Sequence, residues 1–324
     1  MKVLVCGTNY GATYLRALSM GDPGLSAAGI LSTGSERSRA YASGLNIPHF
    51  TSVKEIPEGS VDIACVAVGS DVGNQLTLEL LERGIHVLAE HPLDAAQMKK
   101  ALDLASEKKR VFQVNGHFAD LTAPATFFQS LQTARQQGPV LHFSLSANLR
   151  TLYSALDMLG RAQGSLKEAK VRSVSTSDKP EWFKQLTIDL ESVSVSLLCQ
   201  NFSSEKDDGS ANLINHRFSA TLGHGDLLLA ESNGPVLWFP TPLSMAQESW
   251  QSYLPVDLTP VNSMQLMQQR DYANLMTLRQ MSAVIHDADS PLQQQPDYLM
   301  DLAQLWQDCV VKLFKPDMHH HNQE

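Results

Sequence analysis

Two histidines in this sequence stand where an acid–base group could act: His91, within Glu90-His91-Pro92, and His117, two residues past Asn115. An unperturbed imidazole titrates near pH ~6.5, which suits a general acid working at neutral pH. A second kind of chemistry, the holding of phosphate, is offered by Gly7-Thr8-Asn9-Tyr10-Gly11-Ala12. Against the G-x-G-x-x-G/A pattern of a dinucleotide-binding turn, Gly7 takes the tight-turn position and Ala12 the helix-packing position. Asn9 stands where the second glycine normally lets the backbone approach the pyrophosphate, and asparagine tolerates unusual backbone angles better than most residues. Further on, Ser32-Thr33-Gly34-Ser35-Glu36-Arg37-Ser38-Arg39 gathers hydroxyls and cations at the start of a helix, which is what a phosphate needs. A carboxylate there would instead hold a ribose 2′-hydroxyl and repel a 2′-phosphate. The segment therefore points to NADP(H), with Ser35, Arg37 and Ser38 as the phosphate shell. The other reading makes Arg37 and Arg39 surface charges opening a helix, which fits at least one of them. Gly7, Thr8, Asn9, Tyr10 and Gly11, with Glu90 and His91, complete the expected cofactor site.

These residues need a scaffold, and the apolar pattern supplies one. Short runs at Val3–Cys6, Ala27–Leu31, Ile63–Val68, Ile85–Ala89 and Val111–Val114 alternate with helix-period segments. That is the pattern of a parallel sheet wound with crossover helices. The unbroken run from Ile63 to Val68 fits a strand covered on both faces. A helix begins near Gly11, another near Ser35, a third carries Leu76, Leu80 and Leu81 and ends at Gly84, and Asp94 caps a fourth. His91 then follows the carboxyl end of a strand, where the crevice of an open α/β sheet takes its ligands. His86, inside an apolar strand, reads as a structural histidine.

From residue 118 the pattern changes. Leu141–Leu145, Val171–Val174, Val193–Leu198, Leu213–Leu229 and Pro235–Phe239 read as strands with few helices between, which suggests an antiparallel sheet. Leu299, Leu302, Leu305, Trp306, Cys309, Val310 and Leu313 keep a helical period. The expected fold is α/β: a doubly wound Rossmann domain over residues 1–117 and an α+β domain with a mostly antiparallel sheet over 118–324. Tyr153 and Asp157 lie at i and i+4, on one face of a helix. Either could line a substrate site; equally, Asp157 could cap or pair with Arg161.

Composition narrows the classes. Of 324 residues, 25 are Lys or Arg and 34 Asp or Glu, a formal charge of −9, and no Lys/Arg-rich run marks a nucleic-acid binder. Cys6, Cys65, Cys199 and Cys309 are too scattered for a disulfide framework or a close-spaced zinc site. No stretch approaches the ~20 apolar residues of a membrane span. Val3–Cys6 is too short for the core of a signal peptide. A cytoplasmic enzyme is expected. His319–His321 reads as a disordered tail rather than a metal site.

At Glu90-His91-Pro92 the sequence resembles the glucose–fructose oxidoreductase / inositol dehydrogenase (Gfo/Idh/MocA) family, whose nucleotide domain ends a fifth strand in Glu-x-Pro. In its sugar dehydrogenases the middle residue is a lysine, and a later helix carries an Asp and, four residues on, a His. Here His91 stands in the lysine position, and Asp157-Met158-Leu159-Gly160-Arg161 puts Arg161 where the His would be. Polyol oxidation does not follow from such a pair of changes. Glu90-His91-Pro92-Leu93, Val114-Asn115, Leu152-Tyr153-Ser154-Ala155-Leu156-Asp157 and Gly234-Pro235-Val236-Leu237-Trp238, with the Gly34–Arg39 turn, are similar to thiazolinyl imine reductases of siderophore assembly.

That resemblance implies NADPH-dependent reduction of a thiazoline ring to a thiazolidine, on a substrate held as a thioester by a carrier domain of a nonribosomal peptide synthetase. It also implies a homodimer. Some relatives have a tyrosine where this chain has Phe118. C=N reduction needs a hydride at carbon and a proton at nitrogen, and His91 is the expected general acid, directly or through a water, with His117 the runner-up. Two further readings stand: another oxidoreductase of the wider family, acting on a sugar or small imine, or a non-catalytic NADP-sensing regulator.

Overall fold

Ile63-Ala64-Cys65-Val66 offers solvent no polar side chain, and all four residues are buried as a strand covered on both faces. The computed structural model describes residues 1–175, 182–191, 193–202, 211–241, 251–252 and 262–313. It divides into two units, Met1–Phe118 with Val261–Met300, and Ala119–Pro260 with Asp301–Glu324.

The first unit alternates strand and helix: β1 (Lys2–Cys6), α1 (Ala12–Ser19), β2 (Ser26–Leu31), α2 (Glu36–Leu45), β3 (His49–Phe50), β4 (Ile63–Val66), α3 (Ser70–Glu82), β5 (His86–Ala89), α4 (Ala95–Lys108) and β6 (Phe112–Val114). The strands lie in the order β3-β2-β1-β4-β5-β6, all parallel. The order turns back between β1 and β4, and their carboxyl ends open the crevice where such sheets bind ligands. Local signals hold where expected. Gly84, with φ +75°, follows α3, and Asp94 caps α4 in a reciprocal pair with Gln97.

The second unit contains α5 (Thr122–Arg135), β7 (Val140–Asn148), α6 (Leu152–Gln163), β8 (Lys170–Val174), β9 (Phe183–Leu190), β10 (Val193–Gln200), β11 (His216–Leu222), β12 (Gly225–Leu229), β13 (Val236–Pro240) and β14 (Gln251–Ser252). Its sheet runs β14-β13-β12-β11-β7-β10-β9-β8, antiparallel except for β7 beside β10. Val193, Val195, Leu197 and Cys199 are buried on one face of β10, while Ser194 and Leu198 are exposed on the other. The fold class is thus a Rossmann sheet plus a mostly antiparallel second sheet, as the sequence predicts.

Three details differ from the sequence reading. Leu213–Leu229 is not one strand but the hairpin β11–β12, turned at Gly223-His224. The second half is richer in helix than expected, because α5 and α6 pack in its own unit. The chain also returns: α7 (Ser263–Ile285) belongs to the first unit, and α8 (Pro296–Leu313) follows it. The sequence instead predicts a second domain running unbroken from 118 to the end. Leu275, Leu278 and Met281 of α7 share a core with Tyr14, Leu15 and Leu18 of α1, which fixes the helix there. Among the described residues no helix is long and apolar enough to cross a membrane. His319–His321 lies outside the described residues.

Candidate functional site

The turn after β1 is shaped by its two glycines. Gly7 has φ +85°, and a β-carbon there would lie 3.0 Å from the Val68 side chain and 3.1 Å from the Ala67 carbonyl oxygen. A β-carbon on Gly11 would come within 2.2 Å of the Gly7 carbonyl oxygen, so only glycine lets α1 start so close to the turn. Gly7 N–H donates to Leu31 O at 2.8 Å, whereas the backbone N–H groups of Thr8, Asn9, Tyr10 and Gly11 donate to nothing among the described residues. Gly11 caps α1 without a side-chain hydrogen bond. Unused amides at a helix N-terminus are a cradle for an anion, and a dinucleotide's diphosphate fits this turn.

At the end of β2 the serines serve the helix. Ser35 is the N-cap of α2, its Oγ accepting from Ser38 N–H at 3.3 Å, and Ser38 Oγ donates to Ser35 O at 2.8 Å. Ser38 is fully buried, so its expected place in the phosphate shell is corrected: it closes the cap instead. Arg37 is exposed on α2 beside Ala40, Tyr41, Gly44 and Leu45. Arg39 folds back over Gly34, whose β-carbon, were there one, would meet its guanidinium at 3.3 Å. Arg39 therefore lies closer to the turn than Arg37 does. No carboxylate stands at the end of β2, where Ser32 Oγ pairs with His49 at 2.9 Å.

Beyond β5, Glu90 is held in a buried polar knot. Tyr14 donates its phenolic proton to Glu90 Oε1. Asn115 Nδ2 lies 2.7 Å from Glu90 Oε1, 2.7 Å from the Tyr14 hydroxyl and 2.9 Å from Asn274 Oδ1. Burial pushes the Glu90 carboxyl up to about 7, against the hydrogen bonds from Asn115 and Tyr14 that favour its charged form. Glu90, expected at the cofactor, has its Oε1 engaged by Tyr14 and Asn115.

His91 differs from expectation in charge. Its ring nitrogens are buried, and desolvation lowers its pKa to about 4, so at neutral pH the imidazole carries no charge. The expected imidazolium poised near neutrality is not what this burial gives. His117, also buried, has its ring 3.2 Å from the Tyr10 hydroxyl and stacks on Phe118 with centroids 4.2 Å apart. Its backbone N–H donates to Asn115 Oδ1 at 3.2 Å. His117 and Tyr10 thus form a phenol–imidazole pair at the turn after β1. His86 is structural, Nδ1 accepting from Val111 N–H at 2.9 Å.

Tyr153 and Asp157 lie on α6, in the second unit. Of the two readings of Asp157, the structure forms the ion pair. Arg161 reaches Asp157 Oδ2 at 2.9 Å and Asp120 Oδ1 at 2.7 Å, so the carboxylate is buried and neutralised. Tyr153 is 2% exposed and sits edge-on to Trp306 at 6.2 Å. The expectation that both line a substrate site meets two covered side chains, each occupied in the packing of α6.

The sequence reading missed Tyr14, Asn274 and Arg270. Asn274 and Arg270 come from α7, whose visible signal was the Asn262–Gln265 capping box. Arg270 places its guanidinium carbon 5.9 Å from the centroid of the Tyr10 ring.

Residues 1–116 match the family model described as oxidoreductase family, NAD-binding Rossmann fold. Residues 136–239 match the one described as thiazolinyl imine reductase Irp3-like, C-terminal. No curated protein sequence matches the chain. Among solved structures, the fold is similar to that of a 3-ketoreductase from Actinomadura kijaniata with TDP-benzene and NADP: TM-score 0.71, 15% identity, covering 95% of this chain and 96% of that one. It is similar to UDP-N-acetylglucosamine 3-dehydrogenase from Acidithiobacillus ferrooxidans (TM-score 0.70, 15% identity, 97% and 99% covered). It is also similar to a levoglucosan dehydrogenase with NADH and levoglucosan (TM-score 0.74, 13% identity, 97% of each chain). At these identities the likeness is one of fold.

Proposed function

We propose that the chain is an oxidoreductase of the Gfo/Idh/MocA family, whose model its first 116 residues match, and that it reduces the C=N bond of a thiazoline to a thiazolidine with NADPH. The observation that carries this reading is the match of residues 136–239 to the thiazolinyl imine reductase type, joined to a Rossmann half with His91 in the lysine position. The substrate is read as a thioester on a carrier domain of a nonribosomal peptide synthetase, and the chain as working in a homodimer.

When bound, NADPH supplies the hydride. The chain supplies position and the proton. The amides of Thr8 to Gly11 hold the diphosphate, and Ser35 with Arg37 or Arg39 takes the 2′-phosphate that the absence of a β2 carboxylate admits. A proton must reach the ring nitrogen as the carbon accepts hydride, because protonation makes that carbon the better acceptor. Of the two histidines, His117 is hydrogen-bonded to a proton-bearing phenol, that of Tyr10, and this pair is the proton route. It takes over what Phe118 lacks. His91, just past the carboxyl end of β5, is uncharged at neutral pH.

A sugar substrate is the second reading, since the solved structures above include sugar dehydrogenases. It needs the later Asp–His pair, and here Asp157 is tied to Arg161. The deciding experiment mixes the protein and NADPH with a thiazoline thioester mimic and follows absorbance of the reduced cofactor. Oxidation on the thiazoline alone supports the proposal. Turnover only with polyols would replace it, and cofactor binding with no turnover on either would favour the regulator.

A further inference from the structure

Helix α7 enters the nucleotide-binding unit from far along the chain and brings a cation to the turn after β1. We propose that Arg270 grips the diphosphate of the bound dinucleotide, adding a charged donor to the amides of that turn.

The position of Arg270 is fixed by its neighbours. Asp271 accepts from Arg16 Nε at 2.7 Å and from its terminal nitrogen at 2.9 Å, a two-pronged pair between α7 and α1. One turn on, buried Asn274 accepts from Asn115 at 2.9 Å. Residues one and four positions apart cannot both be held without setting the helix's rotation and its register, so Arg270 is delivered to Tyr10 rather than free to wander. Tyr10 lies within Thr8–Gly11, the segment whose amides are unused among the described residues.

One donor of that guanidinium is unsatisfied. Arg270 Nε is buried and meets no acceptor among the described residues, and Arg270 enters no ion pair among them. Asp271, its nearest carboxylate in sequence, is already committed to Arg16. A buried charged donor without an acceptor is costly, and an anion arriving at the turn removes that cost. A planar fork of donors is suited to phosphate oxygens in pairs. The diphosphate is the better match: Arg270 lies over Tyr10 in the turn after β1, whereas the 2′-phosphate is expected past β2 at Ser35 and Arg39.

The inference rests on the dinucleotide reading and not on the thiazoline one, so it is tested without substrate. Binding of NADPH, NADH and ADP-ribose is measured by titration calorimetry for the wild type and for Arg270→Met. The expected result is a loss of about tenfold to a hundredfold, similar for all three ligands, because each carries the diphosphate. Arg270→Lys should recover part of it. Unchanged affinity for all three ligands overturns the proposal, as does a loss confined to NADPH, which would assign Arg270 to the 2′-phosphate. Should Arg270→Met fail to fold by circular dichroism, Arg270→Lys is compared with Arg270→Gln, and equal affinities in those two overturn it as well.

Discussion

Tyr14 donates its phenolic proton to Glu90, a carboxyl buried directly before His91 in the chain. Burial shifts the two neighbours in opposite senses: Glu90 rises from 4.5 to about 7, and His91 falls from 6.5 to about 4. Both are therefore held uncharged over much of the mildly acidic range, one because it keeps its proton and the other because it does not take one.

The pH dependence of stability follows with definite signs. Glu90 binds its proton more tightly folded than unfolded, so its contribution is complete below pH 4.5 and is lost as pH rises to about 7. His91 binds its proton less tightly folded, so its contribution is present above pH 6.5 and is lost as pH falls to about 4. Each is worth on the order of 3 kcal/mol across its window, and in the wild type the two oppose each other. Denaturant unfolding between pH 4 and 7 should show Glu90→Gln gaining stability with rising pH and His91→Asn losing it. Parallel curves for both variants would contradict the burial described for this pair.

Tyr10 and His117 are expected to act as one proton route. Tyr10→Phe and His117→Asn should each lower kcat by roughly 10²–10⁴ on a thiazoline substrate, and the double variant should lose little more than either alone. His91→Asn should cost less than either. Additive losses in the double variant, or a larger loss at His91, would move the proton donor away from the pair.

At the end of β2, Arg39 rather than Ser38 should govern the choice of cofactor. Arg39→Gln is expected to reduce the preference for NADPH over NADH by about tenfold to a hundredfold, the size of one charge-assisted contact. Ser38→Ala should leave that preference unchanged and cost about 1 kcal/mol of stability through the lost hydrogen bond from its hydroxyl to Ser35 O. Kd values for both cofactors, with melting curves, separate the two outcomes.

The first unit was legible because its signals are local. A continuous apolar run such as Ile63–Val66, a glycine at a positive φ and a capping aspartate each determine structure within a few residues. The α7 helix was not legible, since its buried face includes Asp271 and Asn274, polar residues that only their distant partners make acceptable. The same reason hid half of the site. Glu90 and His91 are visible as types, but their charge states come from burial, and the pairing of Tyr10 with His117 joins segments that no spacing rule connects. His216, bound between Ser154 at 2.7 Å and Ser232 at 2.8 Å, is another residue whose partners the sequence could not name. Asp157 is of the same kind: spacing alone allows it to line a site or to pair, and Arg161 takes it.

Hydride transfer to a thiazoline is tested by following the reducing hydrogen. The protein is incubated with NADPH carrying deuterium at the transferable position of the nicotinamide and a thiazoline thioester mimic, and the product is examined by mass spectrometry. A thiazolidine with one deuterium on the former C=N carbon is expected. Recovery of unreduced thiazoline, from protein shown to bind NADPH, would contradict it.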